Sequence, residues 1–460
     1  MSKRPNLLFI MTDHQRADSI GMVQDGKEVT PVLNQLAKNS VQFTRAYNTT
    51  PLCVPARTAL ATGKYPTHNG VVFNDVKGKR AQDHKTIHQY VKEAGYVVGH
   101  VGINHIQVTP SLKERMDFDF WIDDDSYEAY AKEKGIQLGR TPDFAKEIIE
   151  FQDGKYVKKE YSNAKVAGWP YPLEQFKDQY FTRKALEFLK QQEGDKPFAL
   201  FLYYWAPHPP LKVPEPYASM FNPKALTLPE NVGVPAPKEP SKRRKGIAAQ
   251  LAEGLTMEDW REVWAAHLGL VNMADSLIGE VFDELKSMGE EDNTMVIFTS
   301  DHGDHLGQHK MYQKMEMYDQ AIHVPFLCKA PKGQVQEWDT PVSHLDILPT
   351  VLEMLNIEGA TNLDGTSLAS SILENKEPMK KPVFCQYSGN PTVGDLRRAV
   401  IEGPYKYIYD PRDTAELFDL MKDPLEMNNL AGDPTYATIE KELHEKGMKW
   451  AKEHGDWVEF

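Results

Sequence analysis

The residues that could do chemistry in this chain lie far apart. Cys53 sits in TTPLCVPARTALATGKYP (Thr49 to Pro66), with Pro55 and Arg57 close behind it and a run of small residues after. A free cysteine is most often a buried, inert side chain. A second reading is a thiolate nucleophile of the phosphatase kind, but that chemistry uses a longer loop between cysteine and arginine than Cys53–Arg57 provides. A third is a cysteine that is not left as cysteine. Asp13, Asp301 and His302 form a second set, each placed directly after a short apolar run. Carboxylates gathered at one edge repel unless a cation joins them, and a hard divalent ion with oxygen ligands does so. The alternative is that each aspartate only caps a following helix. The histidine-rich segment DHGDHLGQH (Asp301 to His309) favours a site over a cap.

Strands buried on both faces of a parallel sheet would position these side chains. NLLFIM (Asn6–Met11) leads into TDHQR, FALFLYYW (Phe198–Trp205) into APHPP and TMVIFTS (Thr294–Ser300) into DHGDH. Continuous apolar runs of this length suit such strands, and ligands bind beyond the strands' carboxyl ends. That edge would receive Asp13 and His14, His208, Asp301 and His302, and His105 after a fourth strand in Gly95–Gly102. Helical patterns intervene. Trp264, Leu268, Val271, Ala274, Ile278, Val281, Leu285 and Met288 form one stripe ending at Gly289, and Thr182–Gly194 reads as another helix. The alternation predicts an α/β fold with a large, mostly parallel central sheet sandwiched by helices. Residues 110–180 read as an insertion shaping the pocket, and 1–367 as the catalytic domain. Residues 368–460 read as a smaller α+β subdomain, with two strands meeting at Gly403-Pro404 and a terminal helix.

Composition narrows the function. The chain has 460 residues, 41% hydrophobic, with a formal net charge of −13. So acidic a chain is a poor nucleic-acid binder, and the basic run SKRRKG (Ser241 to Gly246) reads as a solvated loop. Cys53, Cys328 and Cys385 form no disulfide framework, which suits a reducing compartment. The apolar run Leu7–Met11 is too short for a signal segment, and no stretch is long enough to span a membrane. The expectation is a cytoplasmic protein with neither nucleic-acid nor membrane partners; a homo-oligomer is compatible with it.

CVPAR (Cys53 to Arg57) matches the C-x-P-x-R signature of the formylglycine-dependent sulfatases of the alkaline phosphatase superfamily, and TALATGKYPTHNGV resembles its continuation. NLLFIMTDHQR resembles the family's first metal strand, and VIFTSDHGDHLGQHKMYQKMEMYDQAIHVPFL its second metal segment. HLDILPTVLEMLNI and LFDLMKDPLEMNNLA resemble its late signatures, so the likeness covers nearly the whole chain.

The resemblance implies a formylglycine made from Cys53 by a maturation enzyme, and a divalent metal, calcium ahead of magnesium or manganese. Asp13, Asp301, His302 and residue 53 would be its ligands. The hydrated aldehyde attacks sulfur, leaving a covalent sulfate ester that collapses as the second hydroxyl loses its proton. Arg57 steadies residue 53, His208 matches the leaving-group histidine, Lys314 contacts the transferred group, and His105 assists collapse. Asn74 matches a polar substrate-site position of the phosphonate-hydrolase-like branch. Asp13-His14 and Asp301-His302 look nearest to phosphonate monoester hydrolases and choline-sulfatase-like enzymes. In GINH (Gly102 to His105), Ile103 replaces a lysine that many sulfatases use to hold sulfate. Another cation in the pocket, or a substrate of different charge, would answer that loss. The implied substrate is a small anionic ester: a sulfate ester first, a phosphonate monoester or phosphodiester as the alternative.

Overall fold

The computed structural model describes residues 4–75, 81–139, 141–192, 194 and 196–459. Its centre is an eight-stranded sheet of β1 (Asn6–Thr12), β2 (Val41–Phe43), β3 (Val97–Gly102), β4 (Phe120–Ile122), β5 (Phe198–Tyr203), β6 (Thr294–Ser300), β7 (Phe326–Lys329) and β8 (Gln336–Trp338). The spatial order is β8-β2-β7-β6-β1-β5-β3-β4. Every pairing is parallel except the two that β7 makes. The three apolar runs of the sequence are the three central strands. Leu7 pairs with Ala199 on one side and Met295 on the other, and all three strands are buried along their whole length. Apolar side chains are needed on both faces because helices cover both.

Helix α1 (Cys53–Thr62) packs with α4 (Ile347–Met354), and α2 (Lys177–Lys190) packs with α3 (Met257–Ser287). α3 starts at Thr256, whose side chain accepts from the Asp259 amide at 3.2 Å, a capping arrangement that satisfies an orphan donor. Its Trp264 indole donates to the Leu306 carbonyl at 2.7 Å, tying the helix to the loop after β6. β3 ends at Gly102, with φ +117° and a position where a Cβ would lie 1.9 Å from the Tyr203 carbonyl oxygen. Only glycine lets the chain turn there toward His105.

The C-terminal part is a four-stranded antiparallel sheet of β9 (Val383–Tyr387), β10 (Arg397–Glu402), β11 (Tyr405–Tyr409) and β12 (Glu416–Asp419), covered by helix α5 (Ala437–Glu453). No helix among the described residues is long and apolar enough to cross a membrane.

In the basic run Ser241–Gly246, Ser241, Lys242 and Lys245 are exposed as a solvated loop requires, but Arg243 departs from that reading. Arg243 is 1% exposed; it pairs with Glu316 at 2.7 Å and with Glu416 in β12. Glu316 also meets Arg397 of β10 at 3.3 Å. The run joins the loop carrying Lys314 to the C-terminal sheet. Its partners are remote in sequence, so local composition could not disclose them.

Candidate active site

β1 and β6 are neighbours, so their carboxyl ends set Asp13 and Asp301 side by side; the Asp301 amide donates to the Thr12 carbonyl at 3.2 Å. No helix starts at either aspartate, so neither acts as a cap. Both are fully buried. Helix α1 supplies the other half. It begins at Cys53 and is buried throughout. Pro55 in the first turn lacks an amide where none is needed. One turn on, Arg57 reaches both acids, with Nε 2.7 Å from Asp301 Oδ2 and Nη2 3.1 Å from Asp13 Oδ2.

The remaining faces of the carboxylates point to a common space. His302 Nε2 lies 3.6 Å from Asp13 Oδ1, 3.5 Å from Asp301 Oδ1 and 3.2 Å from Cys53 Sγ. One donor atom from each of Asp13, Cys53, Asp301 and His302 falls within 4.8 Å of the others. His302 Nδ1 faces the Gly303 carbonyl at 3.0 Å, which fixes the tautomer and turns the Nε2 lone pair inward, as a ligating histidine requires. Burial and Asp301 push Asp13 up to about 7, against Arg57 and Lys314. Arg57, followed by His302 and Lys314, overrides burial to hold Asp301 below the usual carboxylate range. Two buried acids sharing one arginine are short of positive charge. Two carboxylates, an oriented imidazole and the side chain of residue 53 form a donor set that fits a divalent cation.

Lys314 is also buried, with Nζ 2.6 Å from Cys53 Sγ, 3.0 Å from His302 Nε2 and 2.9 Å from His14 Nε2. It is no surface lysine. Burial, then Asp13, pushes the Cys53 thiol up, so the cysteine is not poised as a thiolate. His208 packs edge-on to His14, with ring centroids 4.5 Å apart, and against Trp205 at 4.0 Å. Its Nδ1 contacts the Pro209 carbonyl. His105 follows β3, and its buried Nδ1 has no hydrogen-bond partner among the described residues. Burial and Arg57 lower its pKa to about 4. Asn74 Oδ1 accepts from the Val54 amide at 3.1 Å, so this oxygen is spent on the first turn of α1. Ile103 is 1% exposed, in the core.

Three supporting residues escaped the sequence reading. Asp304 accepts from His14 Nδ1 at 2.8 Å and from the Leu306 and Gln313 amides at 3.0 Å each. It thereby aims His14 at Lys314 and closes the loop between them; its only signal was being the second acid of DHGDH. Asp178, at the start of α2, accepts from the Trp205 and Ala206 amides at 2.6 and 3.1 Å, holding the turn that carries His208. Asp124 accepts from the Asn104 amide at 3.1 Å beside His105. Neither of the last two has a sequence signature, because each bonds backbone.

An acid-lined, arginine-bridged rim at the carboxyl ends of a mixed sheet is the active-site plan of an alkaline phosphatase-like hydrolase. The chain belongs to the sulfatase family of sulfuric ester hydrolases, whose family profile matches residues 5–357. A second profile, the C-terminal part of N-sulphoglucosamine sulphohydrolase, matches 307–453. The chain is 29% identical over 455 residues to the uncharacterized sulfatase YidJ of Escherichia coli (strain K12), covering 96% of this chain and 86% of that one. It is 30% identical over 499 residues to the multifunctional alkaline phosphatase superfamily protein PehA of Trinickia caryophylli, covering 98% and 96%. Phosphonate monoester hydrolase of Agrobacterium radiobacter shares the fold, with TM-score 0.76 and 22% identity over 98% of this chain and 96% of that one.

Proposed function

We propose that the protein hydrolyses a small sulfate ester at residue 53, converted from cysteine to formylglycine, with a divalent cation held by Asp13, Asp301, His302 and residue 53. The observation that carries this reading is the convergence of those four donors, with the Lys314 ammonium against Cys53 and His302 and Arg57 bridging the acids behind them. Calcium is proposed ahead of magnesium or manganese because three of the four ligands would donate oxygen. When present, the cation supplies Lewis acidity and the hydrated aldehyde an oxygen nucleophile.

The chain's own residues divide the remaining work. Arg57 bridges Asp13 and Asp301, offsets part of their charge and keeps their free oxygens turned to the rim. Lys314 donates to the oxygens of the transferred group, where charge builds in the transition state. His208 meets the leaving oxygen; with Nδ1–H donated to the Pro209 carbonyl, its Nε2 delivers a proton only from the imidazolium form. His105 accepts a proton on the opposite side. Asn74 borders the substrate space with its amide nitrogen. A maturation enzyme is the implied partner and the cytoplasm the proposed compartment. We assign residues 1–367 to the catalytic domain, with 110–180 bounding the pocket and 368–460 as the subdomain behind it.

A second reading, phosphonate monoester or phosphodiester hydrolysis, uses the same groups. It is favoured by His14 and His302 beside the acids and by the aliphatic Ile103. Hydrolysis of 4-nitrophenyl sulfate and of a phenylphosphonate monoester by matured, metal-loaded protein separates the two. A higher kcat/KM on the sulfate supports the first; a phosphonate rate far above the sulfate rate replaces it with the second.

A further inference from the structure

Beside His208 opens a cavity of about 440 Å³ whose wall includes Tyr127, Trp169, Phe176, Lys177 and Trp205. His208 itself forms part of its wall. Its aromatic rings present flat apolar surface, which suits a ring-shaped alcohol. A cation stands among them. The Lys177 ammonium lies 4.8 Å from the centre of the Trp205 ring and 5.6 Å from that of Tyr127. Asp124 Oδ1 holds it at 2.8 Å, and the other Asp124 oxygen takes the Asn104 amide next to His105. Trp205 in turn packs on His208, so Lys177, Trp205 and His208 form one stack along the cavity.

We infer that Lys177, clasped by Asp124 over Trp205, is the leaving-group contact that selects substrates: it favours a ring-bearing alcohol, neutral or anionic, and rejects a quaternary ammonium such as choline. The inference rests on the ester-hydrolase reading above. Among the described residues Asp124 is the polar partner of the Lys177 ammonium, which leaves N–H donors for a substrate carboxylate or hydroxyl. A trimethylammonium group would need the Trp205 and Tyr127 faces that Lys177 occupies, and would meet a like charge there. Lys177 also supplies a cation on the cavity wall. It acts from the leaving-group side, so its effect falls on specificity.

The test compares phenyl sulfate, 4-carboxyphenyl sulfate and choline sulfate with matured wild type, Lys177→Met and Lys177→Glu, each checked for an unchanged melt. Wild type is expected to cleave both aryl esters and to leave choline sulfate at least tenfold behind in kcat/KM. Lys177→Met should raise KM for the carboxylated ester roughly tenfold, the loss of one charge-assisted hydrogen bond, while phenyl sulfate changes little and kcat holds. Lys177→Glu should deepen that loss and improve choline sulfate. Equal losses on the two aryl esters, or choline sulfate matching phenyl sulfate in wild type, would overturn the inference and leave the hydrolase reading standing. Failure of wild type to cleave any of the three sulfates would overturn the sulfatase reading and the inference with it.

Discussion

Replacing Arg243 by methionine tests how the C-terminal sheet supports the active site. The guanidinium is 1% exposed, donates to Glu316 at 2.7 Å and to Glu416, and lies 5.6 Å from the Tyr318 ring centre. Removing it leaves two buried carboxylates under-paired, which in comparable cases costs about 3–5 kcal/mol. Some compensation remains. Glu316 keeps Arg397 at 3.3 Å, and Glu416 keeps the Tyr318 hydroxyl at 2.6 Å. The lower end, about 3 kcal/mol, is therefore expected, or a melting midpoint lower by about 3 °C in a chain of this size. Burial already pushes Glu316 above its ordinary pKa, against Arg243 and Arg397. Without Arg243 it rises further, so the folded variant binds a proton that the unfolded chain has released. Its deficit should then grow as pH rises above the ordinary glutamate range, and be larger at pH 8 than at pH 5. Adding Glu416→Gln should recover part of the loss. Because Glu316 is two residues from Lys314, kcat should fall in the variant as well. Thermal melts by circular dichroism at the two pH values, with kcat on an aryl sulfate, read all of this. A variant melting within 1 °C of wild type with unchanged kcat would refute the claim that this buried cluster anchors the Lys314 loop.

His208→Ala should lower kcat/KM on an alkyl sulfate by about 10²–10⁴-fold but by less than about tenfold on 4-nitrophenyl sulfate, whose leaving group needs no proton; equal losses would remove His208 from the proton-donor role. Asp301→Asn should weaken divalent-metal retention by roughly 100-fold or more, read by elemental analysis after dialysis at graded free metal; wild-type retention would take Asp301 out of the ligand set. His100, His267 and His309 are held neutral by burial, at about 4, 3 and 3. The unfolded chain binds protons at these groups that the folded one refuses, so stability should fall as pH drops from 6.5 toward 4. His267→Gln should lessen that slope by about one proton in urea melts across the range, and an unchanged slope would contradict the assignment.

The central strands were legible because burial on both faces forces unbroken apolar runs such as Asn6–Met11 and Thr294–Ser300, and such runs end where polar residues begin. That alone named Asp13, His14, His208, Asp301 and His302. The stripe from Trp264 to Met288 marked α3 for the same reason, through its helical period. Lys314 and Arg57 were legible only through the family resemblance; neither has a local pattern that separates a buried lysine or arginine from an exposed one. Asp124, Asp178 and Asp304 were not legible, since their work is to hold backbone amides brought close by the fold. Arg243 was misread because a cluster of basic residues looks solvated until its acids arrive from Glu316 and β12.

The account depends on residue 53 meeting a cation as an oxygen ligand between Asp13, Asp301 and His302. Anomalous diffraction from crystals of matured protein loaded with manganese tests this directly. The account predicts one strong anomalous peak within bonding distance of a carboxylate oxygen of each aspartate, His302 Nε2 and an oxygen on residue 53, about 2.0–2.4 Å. A fully matured, metal-loaded crystal with its ion elsewhere, or with residue 53 turned away from it, would contradict the account.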